Sequence, residues 1–309
     1  MAVEEIVFLN QNLKLAGTLY LPETGAPYPA VVAVHPASEA QRTSLFFAHL
    51  TAQLPPAGIA VLLFDRRGSG ASDGEFATAD FEALAGDVLA AVAYLQSRPE
   101  IDGRRIGLHG TSQGAWIAPL AAARQPEIAA LVAVSAAGVS PAEQMDYGVS
   151  FHLAQAGYGP EVIAQALALR GRVHAYFRGQ AAREAVAAEL GRHEHEPWFE
   201  DAYLYPSGEL PSDVTRSKWH YEMDYEPLPV WQKVEQPTLF LFADVDEWVP
   251  VDQSLKNYTH ATRHLSDVTL TRVSGTDHLM RTAEGEVSPA YLSVLLAWLT
   301  ARLAVPRRA

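Results

Sequence analysis

The chain lacks cysteine altogether, although it has 309 residues. Disulfide bonds, a thiolate nucleophile and a zinc site built on cysteines are therefore excluded. It is also poor in positive charge, with 23 lysines and arginines against 36 aspartates and glutamates and a formal net charge of -13. Nucleic acids and anionic membrane surfaces carry dense negative charge, so we expect neither as a partner.

Long apolar runs are missing as well. No uninterrupted apolar stretch approaches the roughly 18 residues that a membrane-spanning helix needs. Residues 1–5 lack the basic and apolar regions of a secretion signal, so we predict a cytoplasmic protein. Hydrophobic residues make up 49% and charged residues 19% of the chain, which is typical of a globular protein. The length suits one large domain or one domain with an insertion.

Short apolar runs alternate with helical patterns along much of the chain. A hairpin is predicted at residues 3–9 and 13–21. Further strands are predicted at residues 30–34, 60–64, 105–109, 128–135, 238–243 and 267–273, and helices at residues 45–54, 80–96 and 289–303. This alternation predicts an α/β fold with a doubly wound, mostly parallel sheet that has helices on both faces.

Residues 139–236 interrupt this alternation. They contain no buried-strand pattern, and they far exceed the about 2 to 6 residues of an ordinary connection between strand and helix. Helical spacings at residues 161–178 and 181–190 predict a helical cap inserted between core segments 1–138 and 237–309. The cap is rich in aromatic residues, and most of these should fill its own small core. As candidates for a substrate pocket we take His35, Trp198, Trp219 and Tyr221.

Ser112 is the candidate nucleophile. It lies in the segment Gly110-Thr111-Ser112-Gln113-Gly114, between a predicted strand and a predicted helix at residues 115–124. A serine at such a tight strand-to-helix turn forms a nucleophile elbow. The residues two before and two after the serine nearly collide in this turn, so both must be tiny, as the two glycines are.

A serine hydroxyl needs a histidine base within hydrogen-bond reach and a carboxylate that orients the histidine. We predict His278 as the base, because it follows the last predicted strand, where a loop can return over Ser112. In contrast, His193 and His195 suggest a metal site only weakly. They stand two residues apart, which does not suit one face of a helix, and no third ligand is evident.

The acid should follow the first strand after the cap. Asp244, Asp246 and Asp252 all lie there, and we favour Asp246, in the loop that leads to the next helix. Asp244 is closer to the end of the strand, where it could fix the loop. Asp277 adjoins His278, but neighbouring side chains diverge, so it is a poor orienting group.

Two backbone N–H groups should meet the negative charge that develops on the carbonyl oxygen during attack. One is predicted to be that of Gln113, at the start of the helix after the nucleophile. The other should come from the loop after residues 30–34. Pro36 has no N–H, so Ala37 is the favoured donor and Ser38 the second choice.

These segments resemble α/β-hydrolase serine esterases of the dienelactone-hydrolase and acyl-peptidase-like group, particularly bacterial esterases with a helical cap. The order Ser112, Asp246, His278 is the order of that fold. The resemblance also runs through residues 15–22, 29–35, 64–72 and 246–250. It implies that Asp65 and Arg67, in the stretch 64–72, brace loops rather than take part in the chemistry.

Two departures from the family pattern stand out. The family usually has His-Gly where this chain has His35-Pro36, which affects the loop that carries the second oxyanion donor. It often has Gly-Gly where this chain has Gly114-Ala115. True dienelactone hydrolases use a cysteine nucleophile, an activity that a chain without cysteine should not have.

The resemblance and the candidate residues together imply a serine carboxylic-ester hydrolase. It would act on small to medium esters through an acyl-enzyme intermediate, with no metal or cofactor. A peptidase, thioesterase or acyltransferase with the same residues is the alternative. A non-catalytic binding protein of this fold would be expected to lack a member of the triad. We also allow for a homodimer.

Overall fold

The computed structural model describes residues 1–38 and 40–304. Its strands form one sheet: β1 Ala2–Asn10, β2 Leu13–Leu21, β3 Tyr28–Val34, β4 Ala60–Phe64, β5 Ile101–Thr111, β6 Ala130–Val134, β7 Thr238–Ala243 and β8 Val268–Val273. Its α-helices are α1 Ala48–Gln53, α2 Phe81–Gln96, α3 Gly114–Arg124, α4 Pro141–Gln155, α5 Pro160–Phe177, α6 Arg183–His193, α7 Lys218–Glu222, α8 Leu228–Trp231, α9 Val251–Ala261 and α10 Pro289–Leu299. Short 3₁₀ turns lie at Leu45–Phe47, Pro55–Ala57 and Val214–Arg216, and a π turn lies at Thr300–Ala304.

The sheet order is β1-β2-β4-β3-β5-β6-β7-β8. The hairpin of β1 and β2 is antiparallel, and β2 pairs antiparallel with β4, whereas the strands from β4 through β8 pair in parallel. From β3 the chain moves first to one side of the sheet and then, at β5, to the other. Ligands of open α/β sheets bind in the crevice at such a switch point. The topology therefore brings the loop after β3 next to the turn after β5.

Both faces of the sheet are covered. On β3, Val32 packs in a cluster with residues of α2 and α3, while its neighbour Val31 packs on the other face with Leu50 of α1 and Leu299 of α10. Strands buried on both faces read as continuous apolar runs, which explains why residues 30–34 and 60–64 could be recognised from sequence. The predicted doubly wound α/β fold is confirmed.

The segment between β6 and β7 is helical and has an apolar cluster of its own. That cluster draws on α4, α5, α6 and α7 and runs from Ala142 to Met223. Helices α5 and α6 correspond to the two predicted cap helices. Helix α4 was not predicted, since only five of its 15 residues are buried and its apolar pattern is weak. Trp231 of α8 packs against the sheet instead, so we propose that the cap ends before α8.

Candidate active site

Ser112 stands at a sharp turn between β5 and α3. Its φ of 52° lies in the left-handed region, which is costly for a residue with a side chain and is typical of functional turns. A Cβ at Gly110 would lie 2.3 Å from the carbonyl oxygen of Gly114, and a Cβ at Gly114 would lie 2.3 Å from that of Val34. Both positions therefore require glycine. The Ser112 N–H donates to Val134 O at 2.8 Å, which ties the turn to β6.

The structure brings Ser112, His278 and Asp246 into one chain of hydrogen bonds. His278 Nε2 lies 3.0 Å from Ser112 Oγ. On the other side of the ring, His278 Nδ1 lies 2.9 Å from each carboxylate oxygen of Asp246. Both side chains are buried, with Asp246 fully shielded from solvent, whereas Ser112 is half-buried at the mouth of the turn. This geometry allows the imidazole to take a proton from the serine while the carboxylate fixes the ring.

Backbone groups hold the acid and the base in place. Asp246 Oδ1 accepts from the N–H groups of Trp248 and Val249, at 2.8 and 2.9 Å. The Ser135 hydroxyl donates to His278 O at 2.6 Å and fixes the loop after β8. The carboxylate and the imidazole are thus oriented before any substrate arrives.

The other candidate acids have different positions. Asp252 is exposed and pairs with Arg272. The Asp277 carboxylate accepts from the N–H groups of Leu279 and Arg281, so it shapes the loop that carries the histidine. Among the described residues, only the Asp246 carboxylate is hydrogen-bonded to the imidazole of His278.

The two predicted oxyanion donors face the same cavity as the serine. Ala37 and Gln113 both line it, and Gln113 stands at the N-terminus of α3, where the helix dipole favours negative charge. Within the part of the chain that the structure describes, neither of their N–H groups donates to a protein acceptor. Both are available to an oxyanion.

Arg66 explains how a loop that starts His35-Pro36 is fixed. Its guanidinium donates to Pro36 O at 3.2 Å and to Ala37 O at 3.1 and 3.2 Å. The Pro36 carbonyl and the Ala37 N–H belong to one planar trans peptide, so they point in opposite directions. By holding that carbonyl, Arg66 sets the direction of the Ala37 N–H. Sequence reasoning missed this residue and assigned bracing only to its neighbours.

Asp65 and Arg67 also brace the structure, but neither side chain bonds to the peptide between Pro36 and Ala37. The Asp65 carboxylate accepts from the N–H groups of Arg42 and Ala71 at 2.8 Å each. Arg67 forms two hydrogen bonds to the carboxylate of Asp87 on α2, at 2.6 and 2.7 Å. These contacts hold the loop after β4 and dock it on α2.

A cavity of about 720 Å³ opens above Ser112, between the sheet and the cap. Most of its wall is apolar or aromatic. The aromatic side chains in the wall are Trp116, Tyr203, Tyr205, Trp219 and Trp248. Of the four predicted pocket residues, Trp219 lines this cavity.

The predictions for the other three pocket candidates are corrected by their packing. His35 is turned into the core between Phe47 and Phe64, where its Nε2 bonds to the carbonyl of Phe64. Trp198 is buried in the core of the cap. Tyr221 lies at the surface, where its hydroxyl donates to Thr215 O. The residue type of a side chain does not reveal which way it faces.

Comparisons with known proteins place the chain in a family. The match to the X-Pro dipeptidyl-peptidase (S15) family spans residues 12–278. The chain belongs to that family. Its fold is shared with an α/β hydrolase, GrgF from Penicillium sp. sh18, at a TM-score of 0.65 and 20% identity over 99% of this chain and 100% of that one. The esterase Pf2001 from Pyrococcus furiosus superposes with a TM-score of 0.64 at 17% identity, over 98% of this chain and 91% of that one.

A curated relative, the quorum-quenching protein AidA of Acinetobacter baumannii, is 26% identical over 271 residues, 84% of each chain. Together the matches confirm the predicted membership of the α/β-hydrolase superfamily, and this S15-family chain is a hydrolase of that superfamily. Among the described residues, no helix is long and apolar enough to cross a membrane.

An ion pair lies in the wall of the cavity above Ser112. The sequence analysis did not predict it. Glu222 and Lys218, one turn apart on α7, pair with each other, and both carboxylate oxygens of Glu222 accept from the side-chain amide of Gln113 at 3.1 and 3.2 Å. Burial raises the pKa of Glu222 to about 7 and lowers the pKa of Lys218. The pair docks the cap on the residue next to Ser112.

Proposed function

We propose that this protein is a serine carboxylic-ester hydrolase that acts through an acyl-enzyme intermediate on small to medium esters. The observation that carries the proposal is the unbroken hydrogen-bond chain from Asp246 through His278 to Ser112, which ends in a largely apolar cavity. A serine hydroxyl in this arrangement is activated, because its proton has an acceptor at 3.0 Å.

In the first half of the reaction, Ser112 Oγ attacks the ester carbonyl and His278 Nε2 takes the hydroxyl proton. The N–H groups of Ala37 and Gln113 stabilise the oxyanion of the tetrahedral intermediate. Its collapse breaks the bond between the carbonyl carbon and the alkoxy oxygen, and the imidazolium of His278 protonates the leaving alcohol. Asp246 stabilises the imidazolium throughout and is not itself protonated.

In the second half, a water molecule replaces the alcohol. His278 takes a proton from the water, which attacks the acyl carbonyl through a second tetrahedral intermediate. Ser112 then leaves with a proton from His278, and the carboxylic acid is released. No step needs a metal or a cofactor, so we expect full activity after prolonged dialysis against EDTA.

Amide hydrolysis is the second candidate, and the family match favours it. A dipeptidyl-peptidase releases dipeptides from a free N-terminus and so must accommodate an ammonium group. Glu222 is the carboxylate in the described wall of the cavity, and it is already bonded to Lys218 and Gln113. This supports ester over dipeptide substrates. AidA is described as quorum-quenching, and at 26% identity we propose only hydrolase chemistry in common with it.

The test combines covalent labelling with turnover. Treatment with a fluorophosphonate followed by mass spectrometry should place the label on Ser112, because only an activated serine reacts. Ser112→Ala should lose both the label and the hydrolysis of p-nitrophenyl butyrate. Ser217→Ala is the matched control, since this serine lines the same cavity without a part in the hydrogen-bond chain, and it should keep both.

The outcome of a substrate comparison decides between the two candidates. Hydrolysis of p-nitrophenyl butyrate with little release of p-nitroaniline from Xaa-Pro-p-nitroanilides supports the esterase. The opposite ranking rejects it in favour of the peptidase. Full turnover by Ser112→Ala would reject both. Cytoplasmic location and a homodimer also stay proposals, to be checked by cell fractionation and by light scattering coupled to size-exclusion chromatography.

A further inference from the structure

A second, smaller cavity lies inside the cap, next to the cavity above Ser112. Its volume is about 220 Å³. We call it the cap chamber and define it by its eight lining residues: Met145, Arg170, Val173, His174, Tyr203, Leu204, Tyr205 and Trp219. Most of these side chains are apolar or aromatic, which is the usual lining of a small-molecule site.

The cap chamber and the catalytic cavity have walls in common. Met145, Tyr203, Tyr205 and Trp219 line both. These shared residues place the chamber directly beside the catalytic cavity, within reach of the far end of a long substrate.

Two buried polar side chains face the chamber from α5. Arg170 and His174 stand one turn apart, with Val173 between them, so all three lie on one face of the helix. Each polar side chain belongs to a residue that is only 5% exposed. A side-chain nitrogen that faces a cavity and has no partner in the protein is open to an acceptor on a ligand there.

His174 has no such partner. Its ring lies against Trp219, with 5.7 Å between ring centroids, and no described residue is hydrogen-bonded to either ring nitrogen. Burial lowers the pKa of His174 to about 4, so at neutral pH the ring is uncharged and keeps one N–H to donate.

The Arg170 side chain is held in place by hydrogen bonds, but not all of its N–H donors have an acceptor. Its Nε donates to Asp146 at 2.7 Å, and its Nη1 donates to the carbonyls of Ala202 and Tyr203 at 3.0 and 3.4 Å. Within the described residues, its Nη2 has no hydrogen-bond acceptor. A guanidinium held by three contacts is rigid, and its remaining N–H groups can bind an acceptor without loss of side-chain freedom.

We propose that the cap chamber is a second substrate subsite, which takes the far end of an ester's chain and binds a carbonyl oxygen there through His174 and Arg170. This inference rests on the proposed ester hydrolysis and adds a substrate class to it: esters with an apolar chain that carries an oxo group remote from the scissile bond. The apolar walls accommodate the chain, and the two donors recognise the oxygen.

The test compares matched esters. One series carries the oxo group at successive positions of an octanoyl chain on p-nitrophenol, and the other carries it in the alcohol part of butyrate esters. Each is compared with the plain alkyl ester of the same length. The best oxo ester should exceed its plain counterpart in kcat/KM by about tenfold, the usual effect of a hydrogen bond to a charged or well-placed donor.

Variants tie that preference to the chamber. His174→Leu should bring the ratio of oxo to plain ester close to one. Val173→Phe, which fills the chamber, should lower kcat/KM for the long esters of both kinds. Both should keep the kcat/KM of p-nitrophenyl acetate, which is too short to enter. The matched control is His193→Leu, the same change on α6 of the cap and outside the chamber, which should keep the oxo preference.

The inference is overturned if neither series shows a preference for any oxo ester, or if a preference survives unchanged in His174→Leu. If only this inference fails, Ser112 is still labelled and p-nitrophenyl acetate is still hydrolysed. If the proposed ester hydrolysis itself fails, Ser112 is not labelled and p-nitrophenyl acetate is not hydrolysed.

Discussion

Replacement of Arg66 by methionine tests how the oxyanion loop is held. Methionine keeps an unbranched apolar stem at this buried position, where the guanidinium now lies 3.5 Å from the centre of the Phe76 ring. It removes all three hydrogen bonds to Pro36 O and Ala37 O. The peptide between these two residues is then free to rotate, and the Ala37 N–H no longer points steadily into the cavity.

The loss of kcat in Arg66→Met has an upper limit. Complete loss of one oxyanion donor typically costs about 3 kcal/mol of transition-state stabilisation, or roughly 150-fold in rate. In Arg66→Met the Ala37 N–H is still present and adopts the productive direction part of the time. We therefore expect kcat for p-nitrophenyl butyrate to fall by about 10- to 100-fold, with KM changed by less than about threefold.

Stability should change far less than the rate. Burial lowers the pKa of Arg66 to about 10, which indicates that its surroundings disfavour the charge. Removal of the charge therefore offsets much of what the three lost hydrogen bonds contribute to folding. Arg66→Lys keeps the charge but cannot bond to two carbonyls in the same fork geometry, so its rate should fall between those of the wild type and Arg66→Met.

The assay also measures an inhibition constant that depends on the oxyanion donors and not on the general stability of the fold. A trifluoromethyl ketone adds to the serine and forms an oxyanion, so its inhibition constant should rise in parallel with the loss in kcat. Arg67→Met is the matched control, because that neighbour bonds to Asp87 and to Ala83 O instead. It should lower the melting temperature and leave kcat within about twofold. A folded Arg66→Met protein with unchanged kcat and unchanged inhibition would refute the reasoning.

Three more predictions concern the elbow, the acid and the response to pH. Gly114→Ala should abolish both soluble expression and turnover, because the new Cβ would lie 2.3 Å from Val34 O; an active, stable variant would contradict the elbow geometry. Asp246→Asn should lower kcat by about 10³- to 10⁴-fold with KM nearly unchanged, since His278 loses the carboxylate that fixes its ring. Steady-state kinetics measure this effect, and a loss of kcat below tenfold would argue against Asp246 as the acid. Stability should fall as pH drops from 6.5 to 4, because burial lowers the pKa values of four histidines to between about 3 and about 4 while the unfolded chain takes up their protons near 6.5. These are His35, His49, His109 and His174. Glu222, whose pKa is raised to about 7, offsets part of this loss because the folded state takes up its proton first. Urea unfolding should therefore show a clearly lower stability at pH 4.5 than at pH 7, whereas equal stability would contradict the assignment.

Much of the fold could be predicted because the relevant signals are local. Strands buried on both faces give unbroken apolar runs, and β4 matches its predicted bounds for that reason. The hairpin of β1 and β2 was marked by a polar turn between two apolar runs. Helix α4 was missed because most of its residues are exposed or half-buried, so it carries no clear apolar stripe.

The elbow could also be predicted from the sequence, because steric limits at Gly110 and Gly114 leave a trace in residue type. Asp246 and His278 could be favoured because they follow predicted strands, although Asp244 and Asp252 stayed alternatives for the acid. The pocket residues left no such trace. Among four candidates, only Trp219 lines the cavity, since residue type does not determine which way a side chain faces.

The sequence by itself determined the layers of the fold, the candidate nucleophile and the loops from which its candidate partners had to come, because backbone sterics and burial act on neighbours in the chain. Only the tertiary structure decided which carboxylate meets His278, how Arg66 directs the Ala37 N–H, and which cap side chains surround Ser112. Those contacts join segments far apart in sequence, and their directions are set by how the cap and the loops pack on the sheet. The tight turn that first marked Ser112 is thus a local property, whereas the surroundings that would make it reactive are assembled by the whole fold.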